Sequence, residues 1–137
     1  MSKALLLSSG IAFVLFLIID FFWLSIAVKY IYKPSLGPLL LDKPILSAAF
    51  VFYILYIVGL TFLVLRPNID NFQVFESLWM GALFGLVAYG TYNLTNMAVL
   101  KDWSPTVVFV DMFWGGFLTA VSASSGIYLA KKIVHFS

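Results

Sequence analysis

The sequence predicts an all-α polytopic membrane protein, four transmembrane helices in one antiparallel bundle, built as a single domain over residues 1–137. Three observations carry this. Hydrophobic residues make up 63% of the chain and charged residues only 10%, against about 45–50% and about 25% in soluble proteins. The apolar residues fall into four runs, each near the roughly 20 residues a helix needs to cross a bilayer. The segments between those runs hold most of the charges and all five prolines.

The first run covers about residues 4–28 and is interrupted by Asp20. It is longer than the apolar core of a signal peptide, so it reads as a retained helix. The second covers about 45–65 and has no charge. The third covers about 75–100, with Glu76 in its first turn, where a helix N-terminus favours an acid. The fourth covers about 106–130, is interrupted by Asp111, and is followed by Lys131 and Lys132. Pro34, Pro38 and Pro44 mark the first break as the end of helix propagation. Arg66, Pro67, Asn68 and Asp70 mark the second break, and residues 101–105 the third. Tyr30, Tyr32 and Trp103 suit the membrane–water boundary.

Composition also excludes several functions. There is no cysteine and one histidine, His135. Thiol chemistry and histidine metal clusters are therefore outside this chain's means, and no cofactor or metal is expected. The net charge of +2 is small and the basic residues are scattered, so no nucleic-acid partner is expected. Four spans put both termini on one side. Lys3, Arg66, Lys131 and Lys132 then face Lys29, Lys33, Lys43 and Lys101 across the bilayer, a balance that does not orient the chain. The expected placement is the inner membrane, multi-pass, with cytoplasmic termini.

Small residues point to close packing of the last two helices. Gly81 and Gly85 form G-x-x-x-G, and Gly116/Ala120 and Ser122/Gly126 repeat small-x-x-x-small. Such residues let helix backbones approach closely in lipid. Contact within the bundle is the expected use, and a homodimer face the alternative.

The candidate site is a set of polar residues inside the bilayer. A charged side chain at a helix centre costs about 2.5–3.5 kcal/mol on insertion scales. Asp20 lies about 6 Å past the middle of its run and Asp111 about 10 Å before the middle of its own, by helix rise. Those helices run in opposite directions, so both acids lie toward the face that carries the first and third loops. The third helix brings Tyr89, Tyr92, Asn93 and Asn96 to that level, and in lipid such groups must find one another or water. Asp20-Phe-Phe-Trp23 and Asp111-Met-Phe-Trp114 are both Asp-x-Phe-Trp. Residues three apart share a helix face, so Trp23 and Trp114 each stand ready to donate an indole N–H to the carboxylate of their own motif. Lys101 and Asp102 are candidate contributors from the third loop. The plain alternative is that these groups fix helix register. Interhelical hydrogen bonds average near 0.6 kcal/mol, however, which is a weak reason to keep two acids in the bilayer.

The segment Tyr89-Gly-Thr-Tyr-Asn-Leu-Thr-Asn96, continuing to Leu100-Lys-Asp-Trp103, resembles the signature of small bacterial membrane proteins grouped as domain of unknown function 2177, and the two Asp/Trp pairs fit it. The resemblance covers the whole chain. It implies four spans and a bacterial inner membrane, and it supplies neither substrate nor mechanism.

Three functions fit these residues. One is transport of a proton, an ion or a small molecule, in which two acids at one depth share charge and a homo-oligomer completes the path. A second is a membrane-embedded acid–base enzyme acting on a lipid or isoprenoid-like substrate, with the Asp pair in acid and base roles. The third is an accessory subunit of a larger membrane complex. Membrane lipids and a lipid-like or small-molecule ligand are the expected partners. A water path to the acids would mark the transporter, and a pocket open sideways to lipid the enzyme.

Overall fold

The computed structural model describes residues 2–136. Its four long apolar helices are Lys3–Leu39, Leu46–Ile69, Val74–Val99 and Pro105–His135, the last continuing to Phe136. They alternate in direction through short connections, and no strand occurs among the described residues. Ser2 caps the first helix by accepting the Leu5 N–H at 3.1 Å. Ser104 does the same for Val107 at 3.3 Å, just before Pro105 opens the fourth. Proline suits a first turn because its missing N–H has no partner there anyway.

Three boundaries differ from the sequence expectation. The first helix does not stop near Val28. It continues past Pro34 to Leu39, through a wide π-helical turn over Val28–Tyr32 in which the Lys33 N–H donates to the Val28 carbonyl five residues back. The second helix uses the same device. A π-helical turn over Thr61–Leu65 lets it run on through Arg66-Pro67 to Ile69. A proline ring collides with the carbonyl one normal turn earlier, and in both helices the widened turn comes just before the proline. Gly37, at φ 25°, ends the α-helical part at Leu36 and opens a 3-10 turn, Gly37–Leu39, that leads into the first loop. The fourth helix runs past Lys131 and Lys132, since neither lysine hinders helix formation.

The third and fourth spans make the closest contact. A Cβ on Gly85 would lie 2.2 Å from the Gly115 carbonyl oxygen, and one on Gly81 2.9 Å from that of Thr119. Gly126 plays this part toward the first span, against Ser8 and Ala12. The small residues are thus used inside the bundle. Leu5, Ala12, Leu60, Leu65 and Ile127 fill the half nearer the termini. Phe16, Tyr56 and Leu118 fill the middle, where Tyr56 and Thr119 share a hydroxyl hydrogen bond of 2.5 Å. The second span packs chiefly through its Thr61–Leu65 turn. Its first half stands off, with Phe50, Val51 and Leu55 exposed on the outside of the bundle.

Candidate intramembrane polar site

Just beyond the Phe16–Leu118 layer, toward the first and third loops, the polar residues come together. Asp20 is one helical turn past Phe16 and is 6% exposed. Its two oxygens accept from the Tyr53 phenol at 2.9 Å and from the Trp114 indole at 3.1 Å. Asp111 is half-buried. It accepts from the Tyr32 phenol at 2.7 Å and from the Asn93 carboxamide at 2.6 Å. All four spans therefore supply a side chain to the cluster.

The indoles correct the expected pairing. Neither donates to the carboxylate of its own motif. Trp114 serves Asp20, and Trp23 donates at 3.2 Å to the Tyr32 oxygen, which in turn donates to Asp111. The two indoles stack on each other, with centroids 4.4 Å apart and planes 11° apart. The physical reason is the antiparallel run of the two helices, which sets each tryptophan level with the opposite aspartate. One chain of contacts thus joins the acids: Asp20, Trp114, Trp23, Tyr32, Asp111.

The other sequence candidates divide. Tyr89 and Tyr92 border the site, together with Trp103, which meets Tyr92 edge-on at 5.6 Å. Asn96 stays outside. No hydrogen bond joins its side chain to another described residue, although its backbone carbonyl accepts the Leu100 N–H. Lys101 and Asp102 also stay outside, exposed in the turn that Asp102 closes at φ 62°. That turn points them past the rim, and Lys33 of the extended first helix and Asp42 of the first loop line the cavity instead. Tyr32 and Tyr53 were not anticipated as site residues. Only the continuation of the first helix brings Tyr32 over Asp111.

A cavity of about 600 Å³ opens over this cluster. Both aspartates, Trp23, Trp114 and Tyr32, Tyr53, Tyr89 and Tyr92 form its inner wall. Leu24, Val28, Leu36 and Leu39–Leu41 give the mouth an apolar lining. A second space of about 380 Å³ reaches Asp111 between Phe52 of the second span and Ala88, Tyr89 and Tyr92 of the third. It lies where the second span stands off its neighbours. Among the described residues, no three side chains of the His, Asp and Glu type cluster as metal ligands. The arrangement can accept hydrogen bonds, hold positive charge, and enclose an apolar body.

Four apolar spans around two hydrogen-bonded acids define an integral membrane protein with a polar site embedded in its bundle. The chain belongs to the family described as "Predicted membrane protein (DUF2177)", whose model matches residues 5–128. No curated protein and no solved structure matches it.

Proposed function

We propose that this protein handles a small amphipathic molecule taken from the bilayer, holding the polar head of that molecule against Asp20 and Asp111. The observation that carries the reading is that Asp111 borders both spaces: the cavity over the cluster and the slot between the second and third spans. A ligand with an apolar body can then reach the acids sideways from lipid. About 600 Å³ lies within the roughly 300–1,000 Å³ of small-molecule sites. The packed layers of Phe16, Tyr56 and Leu118, and of Leu60, Leu65 and Ile127 behind them, favour a one-sided site over a conduit through a single chain. In this reading the chain lies in the inner membrane with cytoplasmic termini, and the cavity mouth is on the outer face.

A second reading has one observation of its own. Asp20 is buried while Asp111 is half-buried, and two carboxylates in unequal surroundings are what an acid–base pair requires. On that reading the bound molecule is a substrate.

Native mass spectrometry of the protein released from membranes, beside Asp111→Asn, tests the proposal. A defined lipid-like mass carried by the wild type and absent from the variant is the expected result. A bare protein mass in both would overturn it.

A further inference from the structure

The chemistry of the cavity wall selects among heads. We infer that the site takes a protonated amine on an apolar body; this rests on the ligand-handling reading above and makes it specific. The first argument is charge. Asp20 and Asp111 lie at the inner end of the cavity, and their four hydrogen bonds come from two phenols, an indole and a carboxamide, all neutral. Neutral donors stabilise a carboxylate without cancelling its charge, and a buried charge needs a partner of opposite sign. The one basic side chain lining the cavity is Lys33, at the extended end of the first helix, and Asp42 of the first loop stands on the same wall.

The second argument is the balance of donors and acceptors. The donors around the acids are all spent: the Tyr32 and Tyr53 hydroxyls and the Trp114 indole on the acids, the Trp23 indole on Tyr32, and the Asn93 carboxamide on Asp111 and the Tyr89 carbonyl. The acceptors remain in excess. Carboxylate oxygens offer about two lone-pair sites each, and each is engaged by one donor. The Asn93 Oδ1 beside Asp111 is buried with no partner, in a side chain that is 0% exposed. The Trp103 Nε1 on the same wall is a buried donor with no partner, but it is bonded to neither acid, and the open acceptor sites of the acids call for a ligand that brings donors to them. A primary ammonium brings three, and a phosphate, sulfate or carboxylate head brings none.

The third argument is the wall itself. Tyr53, Tyr89 and Tyr92 join the stacked Trp23–Trp114 pair around the acids. The faces of aromatic rings attract cations, and rings grouped in a cage are a recurrent means of binding ammonium groups. Leu36 and Leu39–Leu41 at the mouth, with Phe52 in the slot, offer apolar surface to the remainder of the molecule.

The test uses the full chain in phosphatidylcholine nanodiscs, with empty nanodiscs as the baseline for partitioning. Octylammonium, octanol and octyl sulfate share a chain length and differ in the head. Equilibrium dialysis should show octylammonium held above baseline, at least about tenfold more tightly than octanol, and octyl sulfate not held. Asp20→Asn with Asp111→Asn should abolish the difference. Tyr92→Leu should weaken octylammonium about fivefold. The Tyr92 hydroxyl donates to neither acid, so this variant leaves the four hydrogen bonds intact and serves even if the double variant does not fold. Octanol held as tightly as octylammonium would overturn the amine and leave the ligand cavity standing. No probe held above baseline would overturn both.

Discussion

Gly85→Ala is the most direct test of how the bundle holds the site together. The new methyl carbon would lie 2.2 Å from the Gly115 carbonyl oxygen, 2.7 Å from its carbon and 2.8 Å from Thr119 Oγ1. Ordinary contact begins near 3.4 Å, so the shortfall is about 1.2 Å. The obstacle is chiefly backbone, which cannot turn aside as a side chain can. The third and fourth spans must part, and they lose dispersion contacts along their length. Overpacking costs about 1–3 kcal/mol, and a backbone collision belongs at the upper end. The effect should reach the acids, because Asn93 and Asp111 sit on the two helices that separate and are bonded at 2.6 Å. Unfolding in mixed micelles, titrated with dodecyl sulfate and followed by near-ultraviolet circular dichroism, measures the loss. Gly10→Ala is the control, since a Cβ there meets nothing within 4 Å; it should stay within about 0.5 kcal/mol of wild type. If Gly85→Ala matched wild type, or if Gly10→Ala fell as far, the close packing of these helices would be refuted.

Two further predictions follow from the site and the orientation. Stacked indoles 4.4 Å apart should couple in circular dichroism, and either Trp23→Phe or Trp114→Phe should remove that signal. Trp114→Phe should also destabilise the fold by about 1–3 kcal/mol, because it strips a donor from a buried carboxylate; Trp23→Phe should cost less, since its acceptor is a neutral phenol that keeps its own bond to Asp111. Equal losses would place the charge elsewhere. The chain has no cysteine, so single cysteines report topology cleanly. With cytoplasmic termini, a membrane-impermeant maleimide on intact cells should label Asp102→Cys and spare Asn71→Cys, both positions being exposed; the reverse pattern would invert the chain.

Much of this architecture was legible in the residues because lipid imposes strong rules. Spans of about 20 apolar residues, small residues at close crossings and acids that face inward all follow from the absence of water in the bilayer. The meeting of Asp20, Asp111 and Asn93 at one level needed only helix rise. Tyr32 was hidden for a definite reason. Pro34 reads as a stop, and a π-helical turn that accommodates a proline leaves no mark in hydrophobic periodicity. Tyr53 was hidden for another. The second span is apolar on every side, so no periodicity shows which face turns inward. Asn96 misled because spacing places a side chain on a face without saying how far that face extends past its neighbour. Lys33 and Asp42 became legible only with the extended first helix.

The crossed indoles give the Asp-x-Phe-Trp echo a physical meaning. In one helix, residues three apart are displaced by about 4.5 Å along the axis and share a face. Laid antiparallel against a second copy, the motif maps onto itself by a local two-fold axis in the membrane plane. Each tryptophan then falls level with the opposite aspartate, and the two rings meet on the axis. The two indoles depart from that symmetry: Trp114 reaches Asp20 directly, while Trp23 reaches Asp111 through Tyr32. The inserted phenol comes from the extended end of the first helix, a segment with no counterpart in the fourth. Asp111 borders both the cavity and the slot, while the more deeply buried Asp20 borders the cavity alone. A near-symmetric pair is thereby made unequal in burial and in access, and on the ligand-handling reading Asp111 is the acid that a molecule entering from either space meets.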